Sequence, residues 1–135
     1  MIIWKGLGEF RAALAETAAF VDEAARQGLA ELAGELETLA KENASGRPGP
    51  NVISGHLRGG IKVAPIIKVA GHWETQVGPT MIYSRRVELG FKGTDAMGRT
   101  YDQPGYPYFI PAYVEVSALA LGIFRRRMIL ATHRA

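Results

Sequence analysis

An α+β domain is the fold class this chain predicts: a long N-terminal helix, an antiparallel sheet of about four strands and a C-terminal helix. Residues 9–43 contain no proline and are built mainly from alanine, leucine and glutamate, which are good helix formers. Residues 61–78 are rich in β-branched side chains and are divided by Gly71, the pattern of two strands and a turn. Residues 112–132 return to helical spacing behind a proline. At 135 residues, with 47% apolar and 21% charged side chains, the chain has enough material for one domain spanning 1–135.

In the first helix, apolar or small residues recur at Phe10, Leu14, Ala18, Val21, Ala25, Gly28, Leu32, Leu36 and Leu39, in steps of three and four that share a face. Gly28 and Gly34 are each unfavourable there by about 1 kcal/mol against alanine, so a kink or close helix packing is expected near them. The run from Asn43 to Asn51 stops the helix, with Gly46 available as a left-handed cap, and forms a loop expected to be free to move. Residues 61–70 read as a strand in which Pro65 marks an edge or bulge, and 72–78 as a second strand ended by Gly78 and Pro79. Gly71 between them predicts a hairpin turn.

Tyr83 to Leu89 fits either a strand or a short helix. From 90 to 107, four glycines (90, 93, 98 and 105) with Pro104 and Pro107 define a long loop or a loose hairpin, a feature more often functional or disordered than idle. The last helix is predicted from Ala112 to about Thr132, opened by Pro111 where a missing N–H costs nothing. Val116, Leu119, Ala120, Ile123, Phe124 and Leu130 are its expected buried stripe, and Arg125, Arg126 and Arg127 sit in its later turns, where the helix dipole favours positive charge.

The net charge of +3 hides a division: residues 1–43 carry four basic side chains against eight acidic, and residues 44–135 twelve against five. A basic half suits nucleic acid, a membrane surface or an acidic protein face. It also suits a subunit whose acidic helix meets a basic surface of a neighbouring copy, the reading preferred here. The absence of cysteine excludes disulfides, thiolate zinc sites and a cysteine nucleophile, and fits a reducing compartment. No apolar stretch is long enough to span a membrane, and the Met1-Ile2-Ile3-Trp4-Lys5 start is not expected to be a secretory signal.

Chemistry-bearing motifs are sparse. His56, His72 and His133 occur in unrelated contexts, with no second histidine or carboxylate expected at ligand spacing, so no metal site is predicted. The Gly55 to Gly60 run matches neither a phosphate loop nor a dinucleotide fingerprint, and no cofactor is expected. No catalytic residue is nominated and the chain is not expected to be an enzyme. Nucleic-acid binding is the serious rival: Arg85 and Arg86 lie beside Tyr83, Arg125 to Arg127 cluster, and Tyr101, Tyr106, Tyr108 and Phe109 are available for stacking.

One constellation is more specific. Ser54-Gly55-His56-Leu57-Arg58-Gly59-Gly60-Ile61 resembles the Thr/Ser-Gly-x-Leu-Arg-x-Ser-Ile signature of the neck, minor tail and tail-completion proteins of long-tailed bacteriophages. Val77-Gly78, then Tyr83 and Val87-Glu88-Leu89-Gly90, resembles that family's second block, and Tyr106-Pro107-Tyr108-Phe109-Ile110-Pro111-Ala112 its third, an aromatic box leading into the last helix. The three blocks occur in order across residues 54–112 behind a long helix. Gly60, Ser84, Phe91 and Tyr108 replace the family's usual serine, alanine, threonine and proline.

The resemblance implies a virion structural protein that joins capsid to tail as a sixfold or twelvefold ring of itself. Its partners would be portal, neck or tail-tube proteins, close to packaged DNA and with no membrane. A tail terminator capping the tube is the alternative, and a small DNA-binding protein a more distant one. It would be made in the host cytoplasm and end at the head–tail junction of the virion. Loop length and charge nominate Arg85, Arg86, Lys92, Arg99 and Tyr101 for the subunit interface. Gly55, Leu57, Arg58, Glu88, Gly90, Phe109 and Pro111 are nominated as the structural motif, with Glu88 as the expected partner of Arg58.

Overall fold

The computed structural model describes residues 7–133; the Met1 to Lys5 run and the side chain of Phe10 lie outside what it describes. Helix α1 spans Leu7–Asn43, and helix α4 (Phe109–Thr132) runs antiparallel along it. Between them lie a one-turn helix α2 (His56–Gly59), strands β1 (Ile61–Val63), β2 (Ile67–Val69), β3 (His72–Glu74) and β4 (Val77–Pro79), helix α3 (Ser84–Leu89), and strands β5 (Phe91–Thr94) and β6 (Thr100–Gln103). The fold is α+β, as the sequence predicts.

The extended runs make two hairpins, and the expected single sheet of about four strands is replaced by three two-stranded antiparallel ladders. In the first hairpin, β1 pairs β4 with Ile61 opposite Pro79, and β2 pairs β3 with Ile67 opposite Glu74. The register slips by one residue between the two ladders, at the segment containing Pro65, which has no N–H to donate. The hairpin ends in a turn with positive φ at both Ala70 (48°) and Gly71 (84°), the primed geometry that matches strand twist.

The second hairpin is better ordered than a loose loop. Strand β5 pairs β6 from Phe91–Gln103 to Thr94–Thr100, and the Phe91 and Tyr101 rings meet at 5.8 Å. Asp95 closes its turn: Oδ1 accepts the Met97 and Arg99 amides, both at 2.9 Å, while Oδ2 accepts Arg99 Nε at 2.7 Å and the Tyr101 hydroxyl at 3.1 Å.

The core is made mostly of small residues. Ala40, Ala44, Ile61, Tyr108 and Ala112 form its centre, flanked by Leu36, Leu39, Leu57, Val87 and Phe109. Along α1 the fully buried positions are Ala24, Gly28, Ala33 and Ala40, whereas Leu14 is exposed and Val21, Leu32, Leu36 and Leu39 are half-buried. The apolar stripe read from spacing is therefore displaced toward the alanines, because small side chains let α4 approach closely. Gly28 is the closest point: a Cβ there would sit 2.6 Å from Phe124 Cδ1. The close packing expected at the glycines belongs to Gly28 alone, since Gly34 has open space around it. Electrostatic clamps flank this seam, with Arg126 and Arg127 of α4 both donating to Glu31, Arg127 Nε at 2.9 Å. Lys68 and Trp73 of the first hairpin both donate to Asp22.

Helix α4 departs from expectation in two respects. It begins at Phe109, so Pro111 is its third residue and Ala112 lies inside it. Its buried face is Ala112, Val116, Ile123 and Ala131; Leu119 and Leu130, expected inside, are exposed. The loop from 44 to 51 is packed: Ala44, Gly49 and Pro50 are buried, and no Cβ fits at Gly49, where it would lie 1.9 Å from Asn43 O.

Candidate functional site

Glu88 organises the region that carries the motifs. It projects from α3 and is only 8% exposed. Its Oε2 accepts the amides of Tyr108 (2.9 Å) and Phe109 (3.0 Å), and its Oε1 accepts that of Ile110 (2.9 Å). Those N–H groups have no partner within the helix, and the next residue, Pro111, has no N–H at all. One carboxylate thus satisfies the start of α4, where the helix dipole also favours negative charge. The expected Glu88–Arg58 pair does not form; Arg58 Nη1 donates instead to Ser45 Oγ at 3.1 Å. A carboxylate already holding three backbone donors in a buried site has no need of a cation.

Gly90 and Gly105 complete this junction, where the chain leaving α3 crosses the chain entering α4. A Cβ on Gly90 would lie 2.5 Å from Gln103 O, and one on Gly105 2.7 Å from Glu88 O. Tyr108 plugs the floor at 0% exposed. Burial pushes its phenol above the ordinary tyrosine value, with the neighbouring Ser84 hydroxyl acting in the opposite direction.

Beside this junction opens a groove of about 840 Å³, walled by the end of α1, the 47–58 segment, α3 and β6. Arg47, Arg58 and Arg86 line it together with Tyr83, Tyr101 and Tyr106. Arg47 stacks over the Tyr106 ring and Arg86 over the Phe91 ring, each 3.8 Å from the centroid. Stacking fixes a guanidinium in place without using its in-plane N–H fork, of which Arg47 spends one donor on Gly49 O at 3.0 Å. No aspartate or glutamate lines the groove, and among the described residues none of the three arginines has a carboxylate in salt-bridge range. Val52 and Ile53 stand at the rim, Ile53 97% exposed. Such a surface can bind carboxylate or phosphate groups flanked by apolar ones.

Of the five nominated interface residues, Arg86 and Tyr101 line this groove. Arg85 lies on α3 beside a smaller cavity of about 310 Å³, and Lys92 is exposed on β5. Arg99 and Tyr101 both close their own hairpin through Asp95. Among the motif residues, Gly55, Leu57 and Arg58 reach the groove, while Glu88, Gly90, Phe109 and Pro111 gather at the helix junction. The stacking candidates separate: Tyr101 and Tyr106 face the groove, Tyr108 is buried, and Arg126 and Arg127 clamp α1. Arg47 was not foreseen, because a loop read as free to move offers no reason to assign its side chains a place, and Val52 and Ile53 fall in a stretch to which the sequence assigns no element.

His72, expected to have no carboxylate neighbour, lies 2.6 Å from Glu74 Oε1 on the exposed first hairpin. Among the described residues, no group of three or more potential ligands is placed to hold a metal ion, and no helix is long and apolar enough to cross a membrane. Set against models of known families, curated proteins and solved structures, the chain matches nothing.

Proposed function

We propose that this protein is a binding subunit, not an enzyme: a ring component at the head–tail junction of a long-tailed bacteriophage, joining capsid to tail. The resemblance of residues 54–112 to neck and tail-completion proteins supplies the identity of the assembly. The distribution of apolar side chains supplies the argument that an assembly exists. The core is built largely of alanines, while Ile110, Tyr113, Val114 and Leu121 share an exposed face of α4. Ile82, 100% exposed, and Leu89 extend that face across the smaller cavity. Apolar surface gathered this way marks an interaction site.

Mass photometry and negative-stain microscopy of the full chain test the reading. Closed rings of six or twelve copies, or density for the chain in the neck of tailed particles, are the expected results. A protein that stays monomeric at every concentration and is missing from virions would overturn it.

The groove favours one second reading, nucleic-acid binding, because it brings Tyr83, Tyr101 and Tyr106 together with three arginines. That reading requires a gel shift with DNA that falls steeply as salt rises.

A further inference from the structure

The register of α1 against α4 leaves the beginning of α1 without a helical partner among the described residues. Gly28 lies under Phe124, Glu31 meets Arg126 and Arg127, and Asn43 Nδ2 donates to Tyr108 O, so α4 runs out near the α1 turn that carries Asp22. Of the side chains described between Gly8 and Ala19, all but the half-buried Thr17 are exposed, Leu14 among them at 57%. From Leu7 to Ala19 this overhang is about 20 Å long. Most helical stability in proteins comes from a packed face, and this stretch has almost none among the described residues, so it is the least supported part of α1. Glu9 and Glu16 stand on one of its faces, two turns apart, and among the described residues neither has a cation partner.

The groove offers the complementary chemistry: three guanidiniums without carboxylates and an apolar rim at Val52 and Ile53. An amphipathic helix uses both kinds of surface, whereas a phosphate backbone uses only the first. The two surfaces sit at opposite ends of α1, since Ala44 forms part of the groove wall. From Leu14 to Ala44 the helix rise separates them by about 45 Å. A single copy therefore cannot satisfy itself. We infer that the α1 overhang of one copy seats in the arginine groove of the next, Glu9 and Glu16 facing Arg58 and Arg86. This inference rests on the ring reading above and names its contact. A contact between different surfaces of identical subunits propagates until its rotation closes.

Charge reversal in the full chain tests it. R58E/R86E and E9K/E16K should each weaken self-association about tenfold or more, as measured by analytical ultracentrifugation, and the quadruple variant should recover it. The cysteine-free chain allows a second measurement. Oxidised A13C/I53C, with Ala13 flanking the Glu9 and Glu16 face, should give a ladder of covalent oligomers on denaturing gels, while each single variant stops at dimers. The ladder decides the matter if a charge-reversed variant loses its circular dichroism signal. Wild-type rings with unaffected variants and no ladder would overturn the inference and leave the ring reading standing. A monomeric wild type would remove both. Wild-type-like rings in R58E/R86E, with loss of binding to a single-stranded DNA oligonucleotide, would assign the groove to nucleic acid and overturn the inference.

Discussion

Two kinds of residue decide most of what this structure does locally: a carboxylate that has no cation and glycines that have no room. Replacing Glu88 by alanine leaves the amides of Tyr108, Phe109 and Ile110 without their acceptor in a buried site. The expected cost is about 2–3 kcal/mol, seen as a lower midpoint in thermal or urea unfolding. Glu88→Gln should keep part of the hydrogen bonding and lose less. The importance of Glu88 is legible in the sequence, but its partner is not. A cation is the obvious mate for a carboxylate, whereas three backbone donors twenty residues away acquire meaning only once a helix starts there.

The glycines of α1 divide in the same way. Gly28→Ala forces a methyl against the Phe124 ring and should destabilise by about 1–3 kcal/mol. Gly34→Ala meets nothing within 4 Å and should stabilise by up to about 1 kcal/mol. Denaturant unfolding of the pair reads both signs in one experiment. Equal effects would show that the α1–α4 seam is looser than the geometry indicates.

Among the elements, those whose periodicity or turn chemistry is local were legible. The long first helix shows in composition, the hairpin turn in Gly71, and the bulge in Pro65. The start of α4 was placed three residues late, because a carboxylate contributed from outside the helix extends it backward through Phe109. The second hairpin was half legible: its glycines announced turns, but the work of Asp95 depends on Arg99 and Tyr101 folding back over it. Those groups, the Arg99 amide foremost, hold the Asp95 carboxyl below its ordinary value, against the opposing effect of desolvation. A carboxyl depressed in the folded state adds stability above its unfolded pKa and loses it as pH falls through the folded one. The β5–β6 turn should therefore stay closed through neutral and mildly acidic pH and open only below the usual carboxylate range. Amide chemical shifts of Met97 and Arg99 followed against pH would report it. In Asp95→Asn those shifts should resemble the open form at neutral pH.

At the scale of the whole molecule, the separation of acidic and basic halves is legible in the sequence and only partly used as expected. Asp22 and Glu31 meet Lys68, Arg126 and Arg127 within the same subunit, so much of that complementarity holds one domain together. Glu9 and Glu16 at one end of α1, and Arg47, Arg58 and Arg86 at the other, take no part in these ion pairs among the described residues. The groove itself could not be read from the chain, because its wall draws on four separated segments and on a loop whose packing depends on the absence of a Cβ at Gly49. The outer face of α4 makes a further test of the proposed assembly. Val114→Glu with Leu121→Glu should leave the thermal midpoint nearly unchanged, since both side chains are solvent-facing, yet abolish ring formation in mass photometry. A fall in the midpoint with rings intact would place that face inside the domain.

The alanine seam on α1 also bears on synthesis of the chain at the ribosome. Helix α1 emerges before its mate α4, with some sixty-five residues intervening between Asn43 and Phe109. Throughout that delay the centre of the face awaiting α4 shows nascent-chain neighbours the methyl groups of Ala24, Ala33 and Ala40, which offer less area for misplaced adhesion than larger side chains would. A seam of leucines would grip more strongly once complete, and would be an aggregation hazard on every polysome until then.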